Sequence, residues 1–344
     1  MREVRRIVEG GGLMSVTLSI EELRRLGREV LVRAGAPEDV AARVTEALVR
    51  AECDGLPTHG FSRLPFYAEH VRHGRVRVDA PPLVTRPRPA VVLVDARDGF
   101  AFPAIEDGLA AAIPVAREQG CAMLGITRSH HCGVAGHHVE NAAEQGLVAF
   151  MCSNTAANIA PWGGRVPSFG TNPLAFACPR QGRPPLVIDL SLSTVTRGRV
   201  MAAAKRGETI PEGWVLDAEG RPATDPGSGL KGTLTPLGGA KGAALALMVE
   251  ILAAALTGSR LSFETSSMFQ AEGDPLGLGQ FFFLIDPSAL TPGFSERVET
   301  LFSHMLAQPG VRLPGDRRHA ARERALREGV TLSDAAFAAP FGGV

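Results

Sequence analysis

Two side chains near residue 60 have the chemistry and spacing to bind an organic acid. His59 and Arg63 stand four apart in the stretch THGFSR, and on a helix such side chains share one face, about 5–6 Å apart at Cβ. Arg63 offers a planar guanidinium for a carboxylate, and His59 can exchange a proton with an adjacent carbonyl or imine. Thr58 can cap this helix, and the positive end of the helix dipole would then favour binding of the substrate anion. The alternative is that Thr58 only caps and that His59 and Arg63 are solvated.

Four of the nine histidines crowd into one short stretch, as His130, His131, His137 and His138. Imidazole is a common ligand of zinc, copper and iron, so this density suggests a metal-dependent hydrolase or a metal-binding protein. The spacing matches no standard ligand pattern, and no HExxH motif is present. The alternative, which we favour, is a metal-free polar loop at the carboxyl end of a strand, where α/β proteins bind ligands.

Small polar residues flank two predicted strands. Thr171 and Asn172 precede one apolar strand, while Asp189 and Ser191 follow another. An aspartate at a strand end can hold the second nitrogen of a histidine and fix its tautomer, as in catalytic triads. It can equally cap the next helix along the chain, so both interpretations of Asp189 stay open.

Two glycine-containing turns are typical of phosphate binding. Gly238 and Gly239 open a helix whose N-terminus, together with Lys241, offers positive charge to a phosphate. Gly315 stands beside Arg317 and Arg318 in a turn that is either a second phosphate clamp or a salt-bridged surface turn. The spacing is not that of a Walker A motif, and no G-x-G-x-x-G follows a strand. A phosphate-bearing ligand is plausible, without the usual dinucleotide fingerprint.

Composition and charge argue against several classes of protein. Lys plus Arg and Asp plus Glu are 36 each, so no net basic charge is available to attract nucleic acid or an anionic membrane. The longest apolar run, 243–256, contains Glu250 and is too short to span a membrane. Residues 1–12 carry three arginines without a following apolar region, which argues against a signal peptide. Five cysteines without a C-x-x-C pair favour reduced thiols and a cytoplasmic enzyme.

The periodicity predicts helices first and strands later. Ser19 and Glu22 form a capping box for a helix that runs to Gly35, a second helix spans 37–53, and a third runs from Thr58 to Gly74. Apolar runs predict strands at 91–94, 121–126, 147–152, 175–178, 186–190 and 281–285, with a helix at 105–117. This alternation favours an α/β core with helices covering a sheet.

The second half of the chain contains one segment of unusual composition. Residues 205–234 are rich in Gly, Pro, Asp and Thr, and are predicted to form a long surface excursion. A strong helix is expected at 241–257, closed by Gly258, and an arginine-rich helix at 316–329.

The ordered motifs resemble the malate/L-lactate dehydrogenase-like oxidoreductases, which include ureidoglycolate dehydrogenase and the Δ1-piperideine-2-carboxylate/Δ1-pyrroline-2-carboxylate reductases. The resemblance extends from about Leu18 to Val330. It is carried by seven blocks: DG with THG and Arg63 (54–63), SHHCG (129–133), APWGG (160–164), GTNP (170–173), PEGW (211–214), LGGAKG (237–242) and RLPGDRR (312–318).

The resemblance implies an α/β fold of the malate/L-lactate dehydrogenase-like type. It has a non-Rossmann nicotinamide-binding domain and a helical domain built from both chain ends. We therefore expect an N-terminal extension (1–17), a helical, substrate-side domain (18–90 and 290–344) and an NAD(P)-binding α/β domain (91–289). It also implies a homodimer with the active site in a cleft between domains.

Roles for individual residues follow from the resemblance alone. His59 and Arg63 match the substrate-facing pair, His131 matches a second active-site histidine, and Asp189 matches a residue that completes a relay through His59 with Thr58. The predicted cofactor contacts are His131, Cys132, Gly133, Thr171, Asn172, Asp189, Leu190, Ser191, Leu237, Lys241, Gly315, Asp316 and Arg317.

Three departures from the family pattern bear on the chemistry. Thr58 replaces the usual serine and keeps its hydroxyl, and Cys132 replaces an aromatic residue, which would open room beside the nicotinamide. Ureidoglycolate dehydrogenases use a lysine after this block, and no lysine occurs between His131 and Asp189. Ureidoglycolate is therefore disfavoured as substrate.

The sequence thus predicts an NAD(P)-dependent oxidoreductase that transfers a hydride between nicotinamide and the carbon alpha to a carboxylate. The substrate is a 2-oxoacid/2-hydroxyacid couple such as malate or lactate, or a cyclic imino acid such as Δ1-piperideine-2-carboxylate. Arg63 would capture the carboxylate, and His59 or His131 would transfer the proton. The choice between NAD and NADP stays open, and the metal-dependent alternative uses the histidines of 130–138.

Overall fold

The computed structural model of the chain describes residues 5–8, 14–333, 337, 338 and 341. The helices in this part of the chain are α1 (Ile20–Arg33), α2 (Glu38–Cys53), α3 (Leu64–Arg72), α4 (Ala101–Gln119), α5 (Ala135–Glu144), α6 (Arg197–Arg206), α7 (Pro226–Lys231), α8 (Ala240–Glu250), α9 (Phe294–Leu306) and α10 (Asp316–Glu328). The strands are β1 (Arg5–Val8), β2 (Met14–Leu18), β3 (Leu83–Arg88), β4 (Val91–Asp95), β5 (Cys121–Ser129), β6 (Val148–Ser153), β7 (Leu174–Arg180), β8 (Arg183–Leu190), β9 (Val215–Leu216), β10 (Pro222–Ala223), β11 (Thr233–Leu234), β12 (Leu278–Ile285) and β13 (Val330–Ser333).

The chain divides into two compact units. Unit 1 comprises Met1–Pro81, Phe269–Pro275 and Glu299–Val344, and unit 2 comprises Pro82–Met268 and Leu276–Val298. The functions assigned above to the two predicted domains stay predictions.

Unit 1 contains the helices α1, α2, α3 and α10. The predicted capping box at the start of α1 is confirmed, because the Glu22 N–H donates to Ser19 Oγ at 3.2 Å and the Ser19 N–H donates to Glu22 Oε2 at 2.8 Å. The strand β2 pairs antiparallel with both β1 and β13. Part of the predicted N-terminal extension is therefore paired with the C-terminal part of the chain, while residues 1–4 and 9–13 lie outside the described residues.

Unit 2 is organised by a seven-stranded mixed sheet in the order β3-β4-β5-β12-β6-β7-β8. Only β4 and β5 are parallel, joined through α4, and every other neighbouring pair is antiparallel. The helices α4 and α5 cover one face, where a continuous core includes Val94, Leu124, Met151 and Phe282. The predicted α/β class is confirmed. A doubly wound parallel sheet is not formed, which accounts for the missing glycine fingerprint.

The predicted continuous helix from Thr58 to Gly74 is wrong. Two short 3₁₀ turns, Pro57–His59 and Phe61–Arg63, precede α3. They meet at Gly60, whose φ of −92° and ψ of −138° interrupt the helical hydrogen bonding. His59 and Arg63 therefore belong to two separate turns rather than to one helical face.

The prediction of a surface excursion at 205–234 is also wrong. The segment holds α7 and the strands β9 to β11, which form a three-stranded sheet of their own. A separate core, with Val200, Ile210 and Val215 among its buried members, lies beneath it. Here a glycine allows close packing, because a Cβ atom at Gly229 would lie 2.4 Å from Val215 Cγ2.

The predicted helix at 241–257 changes its winding. It is α-helical from Ala240 to Glu250 and continues as a π-helical turn, Ile251–Ala255, which packs on β12. Gly258 has the left-handed φ of +70° expected of a closing glycine. Within the described residues, no helix is long and apolar enough to cross a membrane.

Candidate active site

The turn that carries His59 and Arg63 is held by backbone and side-chain hydrogen bonds. The His59 N–H donates to Leu56 O at 2.9 Å, and the Arg63 N–H donates to Gly60 O at 2.9 Å. The Ser62 hydroxyl donates to Pro57 O at 2.6 Å and ties the second turn to the first. This closed double turn fixes the backbone from which the His59 and Arg63 side chains project.

His59 is largely enclosed and electrically neutral near pH 7. Burial lowers its pKa to about 4, and the nearby Arg63 guanidinium lowers the pKa further in the same direction. The Thr58 hydroxyl lies 3.2 Å from His59 Nδ1. A hydroxyl beside Nδ1 helps to fix the tautomer and the orientation of the ring.

Arg63 is a largely buried cation without an acidic partner among the described residues. Its guanidinium carbon lies 5.0 Å from the centroid of the Phe269 ring, and burial lowers its pKa. Its Nε is buried and has no hydrogen-bond partner in the part of the chain that the structure describes. Buried charges are normally paired, so this arrangement favours an anionic ligand at the guanidinium.

The segment 269–275 is anchored next to α3 by a fully buried arginine. Arg75 Nε donates to Asp274 O at 3.1 Å, and its Nη1 donates to Gln270 O. His70 Nε2 lies 2.8 Å from the same Gln270 oxygen. These contacts hold Phe269 beside Arg63, and sequence reasoning missed them because nothing near residue 269 indicates a partner on α3.

A buried ion cluster joins α10 to the end of α2. Both carboxylate oxygens of Asp54 accept hydrogen bonds from Arg322, from Nε at 2.6 Å and from Nη2 at 2.7 Å. Arg318 Nε lies 3.4 Å from Asp54 Oδ2. The cluster fixes the start of α10, where Gly315 adopts a left-handed φ of +93° and Arg317 is exposed.

In unit 2, the predicted site residues 131–133 form the loop between β5 and α5. Cys132 is only 4% exposed and belongs to the core beside the sheet, and burial raises its pKa to about 12. Its side chain therefore packs inward, which does not support the expectation that it opens room for a nicotinamide. Gly133 has a φ of +67°, and a Cβ atom there would lie 2.9 Å from the Phe102 ring. His131 remains partly exposed on this loop.

Asp189 lies at the N-terminus of α5, which precedes it in the sequence, whereas the capping interpretation named the helix that follows it. Its Oδ2 accepts a hydrogen bond from the Gly136 N–H at 2.8 Å, in the first turn of α5. The N-cap residue of that helix, Val134, has no side-chain oxygen, and a carboxylate at this end is favoured by the helix dipole. The relay from Asp189 to His59 stays a prediction.

The predicted cofactor segment at 171–172 is divided between two environments. The Thr171 N–H donates to Thr155 Oγ1 at 3.0 Å on the partly exposed side. Asn172 is fully buried, and its amide donates to Ala246 O at 3.0 Å and to Glu250 Oε2 at 2.9 Å. The Asn172 side chain therefore ties this loop to α8.

The residues around the start of α8 fit a phosphate-bearing cofactor. Gly238 and Gly239 both have a φ of +69°, and no side chain of the described residues caps the helix. Leu237 and Lys241 are exposed there, and no acidic residue lies in the first turn of α8. Free N–H groups and one lysine at a helix N-terminus suit a phosphate. The predicted contacts Leu190 and Ser191 lie at the end of β8, where Leu190 is exposed.

The histidine cluster does not support the metal interpretation. His130 is buried with its ring edge-on to Phe100, at 5.5 Å between centroids, and His138 Nε2 lies 2.8 Å from Cys132 O. Successive helix positions such as His137 and His138 point about 100° apart. Within the described residues, no group of three or more His, Cys, Asp or Glu side chains could hold a metal ion.

Comparisons with known proteins agree with this picture. The family described as malate/L-lactate dehydrogenase matches residues 18–339. The (2R)-3-sulfolactate dehydrogenase (NADP(+)) of Chromohalobacter salexigens is 51% identical over 322 residues, 94% of this chain and 96% of that protein. A Δ1-pyrroline-2-carboxylate reductase of Ancylobacter novellus is 39% identical over 327 residues, 94% of this chain and 96% of that protein.

Solved structures give the same answer for the fold. The Δ1-piperideine-2-carboxylate reductase of Pseudomonas syringae pv. tomato has a TM-score of 0.90 at 38% identity and covers 95% of this chain and 99% of its own. The sulfolactate dehydrogenase of Methanocaldococcus jannaschii has a TM-score of 0.86 at 26% identity and covers 94% of this chain and 95% of its own. The chain therefore belongs to the malate/L-lactate dehydrogenase family and is an NAD(P)-dependent oxidoreductase.

Proposed function

We propose that this oxidoreductase is an NADP-dependent dehydrogenase of small 2-hydroxy acids, with (2R)-3-sulfolactate as its first candidate substrate. The main support is the largely buried guanidinium of Arg63, which lies close to the neutral His59. Among the described residues it has no acidic partner, and its Nε has no hydrogen-bond partner. The sulfolactate enzyme of C. salexigens is 51% identical to this chain, whereas Δ1-pyrroline-2-carboxylate reductases such as that of A. novellus are 39% identical.

In this proposal Arg63 binds the substrate carboxylate. The guanidinium fork presents two parallel N–H groups to a carboxylate, and burial strengthens the resulting hydrogen bonds because little water competes. The Phe269 ring lies against the guanidinium, 5.0 Å from its central carbon to the ring centroid. The carbon that carries the hydroxyl is then fixed next to the bound carboxylate.

His59 moves the proton in this proposal. A histidine with a pKa of about 4 is neutral at pH 7, so its imidazole can accept the proton of a substrate hydroxyl. A bound carboxylate offsets the charge of Arg63, so the pKa of His59 rises when substrate is present, and the imidazole can return the proton in the reverse reaction. Thr58 orients the ring through Nδ1. His131 and Asp189 complete the proposed catalytic set.

When bound, the nicotinamide cofactor accepts or supplies the hydride. The residues proposed to hold it are His131, Cys132, Gly133, Thr171, Asn172, Asp189, Leu190, Ser191, Leu237, Lys241, Gly315, Asp316 and Arg317. Cys132 and Asn172 have buried side chains, so their contribution is through the backbone.

A substrate screen tests the function. The protein is assayed for NADP⁺ reduction with (2R)-3-sulfolactate, malate and lactate, and for NADPH oxidation with Δ1-pyrroline-2-carboxylate and Δ1-piperideine-2-carboxylate, with NAD(H) in parallel. We expect the highest kcat/KM for sulfolactate with NADP⁺. A higher value for either cyclic imine would assign the chain to the reductase branch instead.

The proposal includes a homodimer in the cytoplasm. Its support is the helical stretch 240–255 and the residues after it, where Leu245, Leu247, Met248, Ile251 and Leu256 are exposed in the single chain. Exposed apolar patches of this kind mark association surfaces. A reducing compartment agrees with five cysteines that are all free.

A further inference from the structure

One buried carboxyl group contacts the turn between His59 and Arg63 and forms no ion pair in the part of the chain that the structure describes. Glu52 lies in the last turn of α2 and is 8% exposed. Its Oε1 accepts a hydrogen bond of 2.7 Å from the Phe61 N–H, and burial raises its pKa. No ion pair of Glu52 is found among the described residues. A buried acid with a single amide donor is costly, so a specific role has to offset its burial.

The shape of the turn is matched to this carboxyl group. A Cβ atom at Gly60 would lie 2.2 Å from Glu52 Oε1 and 2.5 Å from Cδ. The absence of a side chain at Gly60 therefore lets the carboxyl group approach the backbone where the two 3₁₀ turns meet. Phe61 N–H is the first amide of the second turn, and the Phe61 ring is fully buried.

We propose that Glu52 is a positioning residue for the reaction: its carboxyl oxygen, seated against Gly60 and bonded to the Phe61 amide, fixes the angle between the turn that carries His59 and the turn that carries Arg63. This inference rests on the proposed function. Glu52 acts through geometry, since burial and Arg63 are the causes of the lowered pKa of His59.

The atom required of residue 52 is an acceptor oxygen, not a charge. Glu52→Gln keeps an oxygen that can accept from Phe61, whereas Glu52→Ala leaves that buried amide without its acceptor. A misplacement of reacting groups by about 1 Å can cost on the order of a hundredfold in rate. We therefore expect Glu52→Ala to lower kcat/KM for the acid by about that factor and Glu52→Gln to remain within about threefold of wild type.

The closing experiment combines kinetics with an observation that needs no substrate. Steady-state constants for the acid and for NADPH are measured for Glu52→Ala, Glu52→Gln and Glu46→Gln, the last being an exposed glutamate of α2 and the matched control. In parallel, the pKa of His59 is followed by NMR, with His59→Asn assigning the signal. We expect about 4 in wild type and Glu52→Gln, and a rise toward 6.5 in Glu52→Ala as the ring becomes exposed.

Three outcomes would overturn the proposal. One is a Glu52→Ala variant with wild-type kinetics and an unchanged His59 pKa. Another is a Glu52→Gln variant as impaired as Glu52→Ala, because the charge would then be what matters. If Glu52→Ala does not fold, Gly60→Ala is used instead, because the added Cβ displaces the same carboxyl group. The third outcome is wild-type kinetics and an unchanged His59 pKa in the Gly60→Ala variant. The titration detects loss of positioning even where the wild type turns over none of the screened acids.

Discussion

At the residue scale, the site depends on the largely buried cation Arg63, which has no acidic partner among the described residues. Arg63 loses water around its guanidinium and packs against the ring of Phe269. Such an arrangement is poorer for stability than an ion pair and better for binding an incoming carboxylate. The same logic explains His59, which stays neutral because protonation next to Arg63 in an enclosed position is unfavourable.

We predict that Arg63→Ala weakens acid binding selectively. Removing one partner of a buried, hydrogen-bonded charge pair costs about 2–5 kcal/mol, which corresponds to a fall of roughly 30-fold or more in kcat/KM for the acid. The Kd for NADPH, measured by fluorescence, should be nearly unchanged. Arg63→Lys is the matched variant that keeps the charge and loses the fork. Equal losses for acid and cofactor would remove Arg63 from its proposed role.

The same residue gives an opposite prediction for stability. Arg63→Met keeps much of the side-chain volume and removes the buried charge, so the free energy of unfolding should rise by on the order of 1 kcal/mol. Thermal unfolding of the ligand-free protein measures this. A lower Tm for the methionine variant would mean that contacts of Arg63 outweigh the cost of burying its charge.

The lowered pKa of His59 predicts a pH dependence of stability. The unfolded chain binds a proton at His59 near pH 6.5 and the folded chain only near pH 4, so this histidine stabilises the fold fully above pH 6.5. That contribution is lost as the pH falls from about 6.5 through about 4. We expect His59→Asn to reduce the slope of Tm against pH in this window. His304→Asn, at an exposed position on α9, is the control and should leave the slope as in wild type.

At the element scale, the start of α10 is held in place by the end of α2. Asp54 is fully enclosed as a side chain and accepts both hydrogen bonds of the Arg322 fork, with Arg318 beside it. A bidentate, buried ion cluster resists displacement in a way that an exposed pair does not. The proposed cofactor contacts at Gly315–Arg317 therefore depend on Asp54, which lies just before the turn that carries His59.

We predict that Asp54→Asn destabilises unit 1 and weakens cofactor binding together. The change leaves Arg318 and Arg322 near a neutral amide in a buried position, and breaking such a cluster costs about 3–5 kcal/mol. Urea unfolding and the Kd for NADPH are measured against Asp39→Asn, an exposed aspartate at the start of α2. If the free energy of unfolding is unaffected while the Kd for NADPH changes, the cluster does not stabilise unit 1 as proposed.

At the scale of the whole molecule, the mixed sheet of unit 2 leaves part of its second face to the helix α8 and the π-helical turn. This stretch packs on β6 and β12 with its small residues and presents large apolar residues outward. The proposed homodimer would cover them.

We predict that Ile251→Asp lowers the molar mass in solution from that of a dimer to that of a monomer. A charge placed in an apolar interface is strongly unfavourable, because its water is lost without a partner. Light scattering coupled to size exclusion measures the mass. Leu290→Asp, at a highly exposed leucine outside the patch, is the control and should leave the mass unchanged. A monomeric wild type would contradict the proposed dimer.

The sequence by itself determined the family, the α/β class and most of the elements. Ordered motifs, the capping box at Ser19 and the apolar strand runs depend on local residue types, which are read directly from the chain. The sequence also predicted that His59 and Arg63 lie close together, although it assigned them to one helix rather than to two 3₁₀ turns. A signal for Glu52 was present too, because this acid falls on the buried face of α2 with Leu48 and Val49.

The tertiary structure alone decided what surrounds those residues. The helix predicted from Thr58 is interrupted at Gly60, and Phe269 lies beside Arg63. Asp189 accepts a hydrogen bond at the N-terminus of α5, and Cys132 packs in the core. Residues 205–234 have a core of their own. The physical reason is that burial and hydrogen-bond partners come from segments far apart in sequence, and these partners set each side chain's charge state and orientation.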